Sequence, residues 1–144
     1  MNAEQYLHPV GAAAAGTLAD AASVASGGAD QADFQQAVLI LDLGSLAGTL
    51  ECELQTSDSL GSGYADASPA MQIDVPATDD DKNLVLRWNL KASTQLKRYV
   101  RVNITSNGGS NVITGALFCL ANPGDTEALN DEASESTYVY DGRS

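Results

Sequence analysis

The run Leu96-Lys97-Arg98-Tyr99-Val100-Arg101-Val102-Asn103-Ile104-Thr105 decides the fold. Val100, Val102 and Ile104 fall on one side, Tyr99, Arg101 and Asn103 on the other. β-Branched residues alternating with polar ones at a period of two mark a half-buried antiparallel strand. Such a strand needs an apolar sheet under one face and carboxylates near the other. The run also holds three of the seven basic residues in a chain of net charge −12.

Its neighbours read the same way. Thr49 to Gln55 alternates, with Leu50, Cys52 and Leu54 inward and Glu51, Glu53 and Gln55 outward. Glu51 and Glu53 are the expected cross-strand partners of Arg101 and of Lys97 or Arg98. Met71 to Val75 is a short alternating strand stopped by Pro76, which cannot continue a ladder. Leu84 to Leu90 alternates again, placing Leu84, Leu86, Trp88 and Leu90 inward. Ala37 to Leu41 is apolar on both faces, as a central strand covered on each side would be. Asn107 to Asn111 is expected as a hairpin loop, and Val112 to Leu120 as the last core strand, with a bulge at Gly115. Short apolar runs between Gly-, Ser-, Asn- and Asp-rich turns predict an all-β domain: an antiparallel β-sandwich over residues 31–121. The expected inward residues are Val38, Ile40, Leu50, Cys52, Leu54, Ile73, Leu86, Trp88, Val100, Val102, Ile104 and Leu117.

The ends differ in character. Residues 1–30 are rich in Ala, Gly and Ser and poor in large apolar side chains, which reads as an extended N-terminal arm with at most a short strand near Ala22 to Ala25. Residues 122–144 read as an acidic C-terminal arm. Each arm holds one aromatic cluster: Tyr6, Leu7, His8 and Pro9 in the first, Tyr138, Val139 and Tyr140 in the second. Isolated clusters on polar tethers are the expected partner-binding residues.

Composition narrows the function classes. Nineteen acidic against seven basic residues disfavour nucleic acid and an anionic membrane, whose phosphates would be repelled. Glu4 stands where a signal peptide needs positive charge, and Gly11 to Leu18 is too weakly apolar for its hydrophobic core. No stretch approaches transmembrane length. A protein made in the cytosol, or released by lysis, is the expectation. Cys52 and Cys119 lack a CxxC spacing and a companion histidine, so both are read as buried thiols. Asp79-Asp80-Asp81 lacks the spacing of a calcium loop and is read as a solvated acidic turn. Ser57-Asp58-Ser59 has no nucleophile elbow and no usable histidine nearby. Trp88 falls on the inward face, which makes it core rather than a sugar platform. No catalytic constellation, cofactor site or metal site is expected, and the chain reads as a structural or binding protein.

The core resembles a small family of tailed-bacteriophage virion proteins, single β-sandwich or jelly-roll-like domains. The resemblance is carried by Asp33-Phe34 leading into Ala37 to Ile40, by Leu54-Gln55-Thr56-Ser57-Asp58-Ser59 followed by Gly63-Tyr64-Ala65-Asp66-Ala67, by Lys97 to Val102, and by Gly115-Ala116-Leu117 running to Asn122-Pro123. It covers roughly Asp33 to Pro123. It implies a decoration or cement protein on the outer surface of a capsid, with the major capsid protein as partner. For such a protein, on a lattice of many identical sites, a homo-oligomer is expected, with a trimer favoured. A tail, neck or fibre-base component and a surface carbohydrate-binding module are the alternatives. In this chain the lead-in and the tail are longer than the family pattern, and Ser93-Thr94-Gln95-Leu96 stands where the family usually has glycine.

Overall fold

The computed structural model describes residues 7–12, 16–32, 34–67, 70–92, 96–121 and 136–140. Twelve strands follow in chain order: β1 (Leu7–Ala12), β2 (Gly16–Leu18), β3 (Ser23–Ala25), β4 (Ala29–Asp30), β5 (Gln36–Leu46), β6 (Thr49–Ser57), β7 (Ala65–Asp66), β8 (Gln72–Val75), β9 (Asn83–Asn89), β10 (Tyr99–Asn107), β11 (Asn111–Ala121) and β12 (Ser136–Tyr140). They form two sheets. The first runs β1-β11-β5-β9-β12, with β2 also on β11. The second runs β3-β10-β6-β7, with β4 also on β10 and β8 on β6. The protein is an all-β sandwich, as the alternation of β6, β9 and β10 predicts.

Successive long strands lie in opposite sheets. β5 turns into β6 at Ala47-Gly48, and β10 into β11 at Gly108-Gly109-Ser110, each time crossing from one sheet to the other. The second turn is therefore a corner and not the hairpin expected from its glycines. Glycine content marks a tight reversal but does not say whether the flanking strands then pair. The two corners lie against each other. A Cβ on Gly48 would stand only 2.8 Å from the Gly108 carbonyl carbon, so only glycine fits. Asn111, fully buried, accepts from Gly48 N (2.9 Å) and donates to Ser106 Oγ (2.8 Å) and to Thr49 O (3.3 Å).

Between the sheets lies the main core. Leu39, Leu41, Leu84, Leu86, Trp88 and Phe118 come from the first sheet, and Leu50, Cys52, Leu54, Val100, Val102 and Ile104 from the second. Trp88 is fully buried, and its Nε1 donates to Met71 O at 3.0 Å. This satisfies the indole N–H that burial would otherwise orphan.

Three of the expected inward residues face the other way. Val38 is buried, but in a second cluster with Val85, Cys119 and Ala121 on the outer face of the first sheet. Ile40 packs partly against that cluster, and Leu117 is 38% exposed. The inward residues of β5 are Ala37, Leu39, Leu41 and Leu43. β5 is indeed central and apolar on both faces. A continuous apolar run carries no alternation to fix parity, so the sequence does not distinguish its two faces.

The described residues of the expected N-terminal arm pair into the sandwich. β1 pairs Leu7 to Ala12 with Ala121 to Leu117, and β2 pairs Gly16 to Leu18 with Ile113 to Asn111. The chain then crosses to the second sheet, where β3 and β4 pair with β10. Around them Ala21 N and Ser26 N donate to Ser106 O and Val102 O, both at 2.8 Å, and Ser26 Oγ accepts from Val102 N. The physical reason is that β10 and β11 would otherwise present open edges, and backbone pairing satisfies them without large side chains. Low apolar density argued for a free arm; backbone hydrogen bonding does not need that density. At the other end β12 pairs with β9, and this pair is parallel, whereas every other pair among the described strands is antiparallel.

Candidate functional site

The residues expected to bind a partner lie on opposite edges of one sheet. Leu7, His8 and Pro9 are in β1, in register with Ala121, Leu120 and Cys119; Tyr6 lies outside the described residues. Tyr138, Val139 and Tyr140 are in β12, in register with Leu86, Arg87 and Trp88. The structure does not bring the two clusters together, since β11, β5 and β9 stand between them. Each edge strand has a feature that loosens its pairing. β1 contains Pro9, which has no N–H to give, and its register shifts between Pro9 and Gly11. β12 is five residues long, and parallel pairing is slightly less stable per residue than antiparallel.

The positive charge of Lys97 and Arg98, just before β10, and of Arg101 within it gathers at one end of the second sheet. Arg98 Nε donates to Asp30 Oδ2 at 2.9 Å, and Lys97 Nζ stands 3.3 Å from Asp58. A hydrogen bond from Ala32 N, and then the Arg98 guanidinium, holds the Asp30 carboxyl below its usual range. Arg101 Nε donates to Gln55 Oε1 (2.8 Å), and Gln55 Nε2 donates to Asp66 Oδ1 (2.9 Å), a chain of polar contacts across β10, β6 and β7. The Arg101 guanidinium also lies 4.5 Å from the Tyr64 ring centroid. Tyr64 donates its hydroxyl to Leu60 O (2.8 Å) and presses against Gly28, where a Cβ would overlap the ring.

The expected pairing of Glu51 and Glu53 with these bases does not occur. Register sets Arg101 opposite Gln55, Asn103 opposite Glu53 and Thr105 opposite Glu51. The sequence supplies the alternation but not the offset between strands, and two residues of shift exchange one partner for another. Glu51 instead accepts from Asn107 Nδ2 at 3.1 Å. Glu53 is buried and accepts from Met71 N at 3.1 Å. Burial, then Asp66, Asp74 and Glu51 nearby, push its carboxyl above the usual carboxylate range.

The other motifs have structural roles. In the acidic turn, Asp79 is buried and 3.5 Å from Lys82 Nζ, Asp80 Oδ1 accepts from Leu46 N (2.8 Å), and Asp81 N donates to Gly44 O (2.9 Å). The turn is thus a clasp on the end of β5, more structured than the solvated loop expected. No group of three or more His, Cys, Asp or Glu among the described residues is placed to hold a metal ion. Ser57 Oγ donates to Ser62 O and accepts from Ser59 N, which shapes the loop over the second sheet. Both cysteines are free and buried. Cys52 lies in the main core and Cys119 on the far face of the first sheet, so a layer of backbone separates them. Burial raises both thiols, Cys119 to about 11.

The Tyr64–Gly28 contact, the Asn111 network and the parallel pairing of β12 emerge only in the folded chain. Nothing in a single sequence signals the first two, since each joins residues far apart along the chain. Strand propensity in Tyr138-Val139-Tyr140 was visible, but its docking edge was not. Comparison with protein-family models and with curated proteins matches none to this chain.

Proposed function

We propose that this protein is a non-enzymatic structural protein of a tailed-bacteriophage virion. It decorates the outer surface of the capsid as a homo-oligomer, contacts the major capsid protein and cements the lattice. The observation that carries this reading is the placement of the two terminal strands. β1 and β12 occupy both edges of one sheet, where added strands are recognised by main-chain hydrogen bonds. A rigid sandwich with a strand at each edge can bridge neighbours, and a repeating lattice turns weak contacts into firm retention. The sequence resemblance supports the same reading. The net charge of −12 suits a body that stays soluble until it meets a lattice. A sugar-binding role draws less support, because Trp88 is in the core and both Tyr64 and Tyr99 have an arginine over the ring.

The test is add-back. Particles assembled without this chain are mixed with the purified full-length protein, and bound protein and particle survival on heating are measured. Saturable binding with increased heat resistance is the expected result. Absence of binding overturns the proposal.

A further inference from the structure

The β9 edge that holds β12 raises a question of connectivity. β11 ends at Ala121, in register with Gln36 and, through it, with Asn89 at the end of β9. β12 begins at Ser136 beside Leu84, near the opposite end of β9. β12 runs parallel to β9, and β9 parallel to β11, since both of the latter are antiparallel to β5. A parallel return of this kind needs a connection that travels back the length of the strand. The distance is about 17 Å along the strands and about 14 Å across three strand spacings, or roughly 22 Å in a straight line. The fourteen residues 122–135 can reach about 46–50 Å when extended. Because β5 and β9 block the straight line, the route round the sheet border is about 31 Å, and the tether is about one and a half times as long as one subunit requires.

We infer that the β9 edge is a strand-acceptor site for a second copy of this chain, filled by β12 (Ser136–Tyr140) of that copy when subunits are close. Four observations converge on this occupant. The tether has slack beyond what its own subunit requires. The strand is short and parallel, so leaving its own edge costs less than it would for a longer antiparallel strand. The same five residues bind the same edge in either arrangement, so exchange loses no hydrogen bond. Finally, β9 without β12 would present an open ladder in the first sheet, and any copy that gives its strand away must receive one. Exchange must therefore close in a ring of copies. High local concentration, as on a repeating surface, favours exchange by mass action. This inference deepens the proposed function by naming a partner and a site for the C-terminal cluster. It rests on the reading of that cluster as partner-seeking and is independent of the virion location.

The experiment uses full-length chains carrying one added cysteine each. Val85→Cys and Thr137→Cys place cysteines at register partners across the β9–β12 pair. The two variants are mixed in equal amounts at high concentration, oxidised, denatured without reductant and weighed by mass spectrometry, with peptide mapping of the bond. Exchange predicts a disulfide-linked pair containing one of each variant, joined between 85 and 137 and absent when either variant is treated alone. A third chain carrying both substitutions checks the register. If it closes the bond only within itself while the mixture yields no linked pair, the inference is overturned. Light scattering of the unmodified protein gives a second reading that needs no substitution. A mass of two or three chains, falling to one when Ser136–Tyr140 is replaced by a Gly-Ser run, supports exchange; a single-chain mass at every concentration overturns it. Particle add-back is scored separately, so loss of exchange and loss of capsid binding are distinguishable.

Discussion

Asn111 is the residue whose loss reads the sandwich most sharply. It is fully buried at the meeting point of the two corners and makes three hydrogen bonds. Asn111→Ala removes the acceptor for Gly48 N and the donor to Ser106 Oγ and Thr49 O. A buried polar group left without a partner costs about 1–3 kcal/mol. Ser106 Oγ keeps its bond to Gly109 O, so the penalty falls mainly on Gly48 N and Thr49 O. The sum, with the small void left by the side chain, is about 3 kcal/mol. For a chain of this size that corresponds to a fall in Tm of about 6–12 °C. The assay is urea unfolding followed by tryptophan fluorescence, since Trp88 in the core is the only tryptophan. Asn107→Ala is the control: its exposed side chain bonds Glu51 on the surface, and its cost should stay within about 0.5 kcal/mol. If Asn111→Ala and Asn107→Ala unfold at the same urea concentration, the corners are not held as described.

Val102→Asp buries a charge in the main core and should destabilise by about 3 kcal/mol or more, read as loss of the cooperative transition or a much lower midpoint. Gly28→Ala drives a methyl into Tyr64 and should cost about 1–3 kcal/mol; Tyr64→Leu in the same chain should recover most of it, and a strictly additive double variant would contradict the contact. Glu53, raised in the folded state, binds its proton more tightly there than in the unfolded chain, so its contribution to stability is complete below its ordinary value of 4.5 and is lost as pH rises through the higher folded value. Glu53→Gln keeps an acceptor for Met71 N, so the variant should gain stability over the parent at pH 7 and not at pH 4; equal urea midpoints at both values would refute the shift. Cys52 and Cys119 should resist alkylation in the native protein, and both should label after denaturation without reductant.

What the sequence made legible was alternation. β6, β8, β9 and β10 announce themselves by a period of two, and their inward residues Leu50, Leu54, Ile73, Leu86, Trp88, Val100, Val102 and Ile104 are all buried in the main core. Where alternation was missing, so was the answer. Val38 and Ile40 sit in an unbroken apolar run, and Leu117 follows the small pair Gly115-Ala116 close to two register shifts in β11. Pairings between distant segments were equally hidden. Glu51 and Glu53 were visible as outward carboxylates, but their partners depend on a register that only the folded sheet sets. Of the N-terminal strands, β3 was legible near Ala22 to Ala25; β1, β2 and β4 were hidden for a different reason. Ala-, Gly- and Ser-rich chain can close a sheet edge through its backbone alone, and hydrophobic pattern does not record that. Of the candidate site, the two aromatic clusters were legible as segments; their common placement on the edges of one sheet was not.

The most direct measurement of the central claim is a reconstruction of the purified particle with this chain located and counted. Density for the sandwich is expected on the outside of the capsid, repeated at every equivalent lattice position and present in on the order of hundreds of copies. Absence from the particle, or a copy number matching the symmetry of the tail or neck, would contradict it.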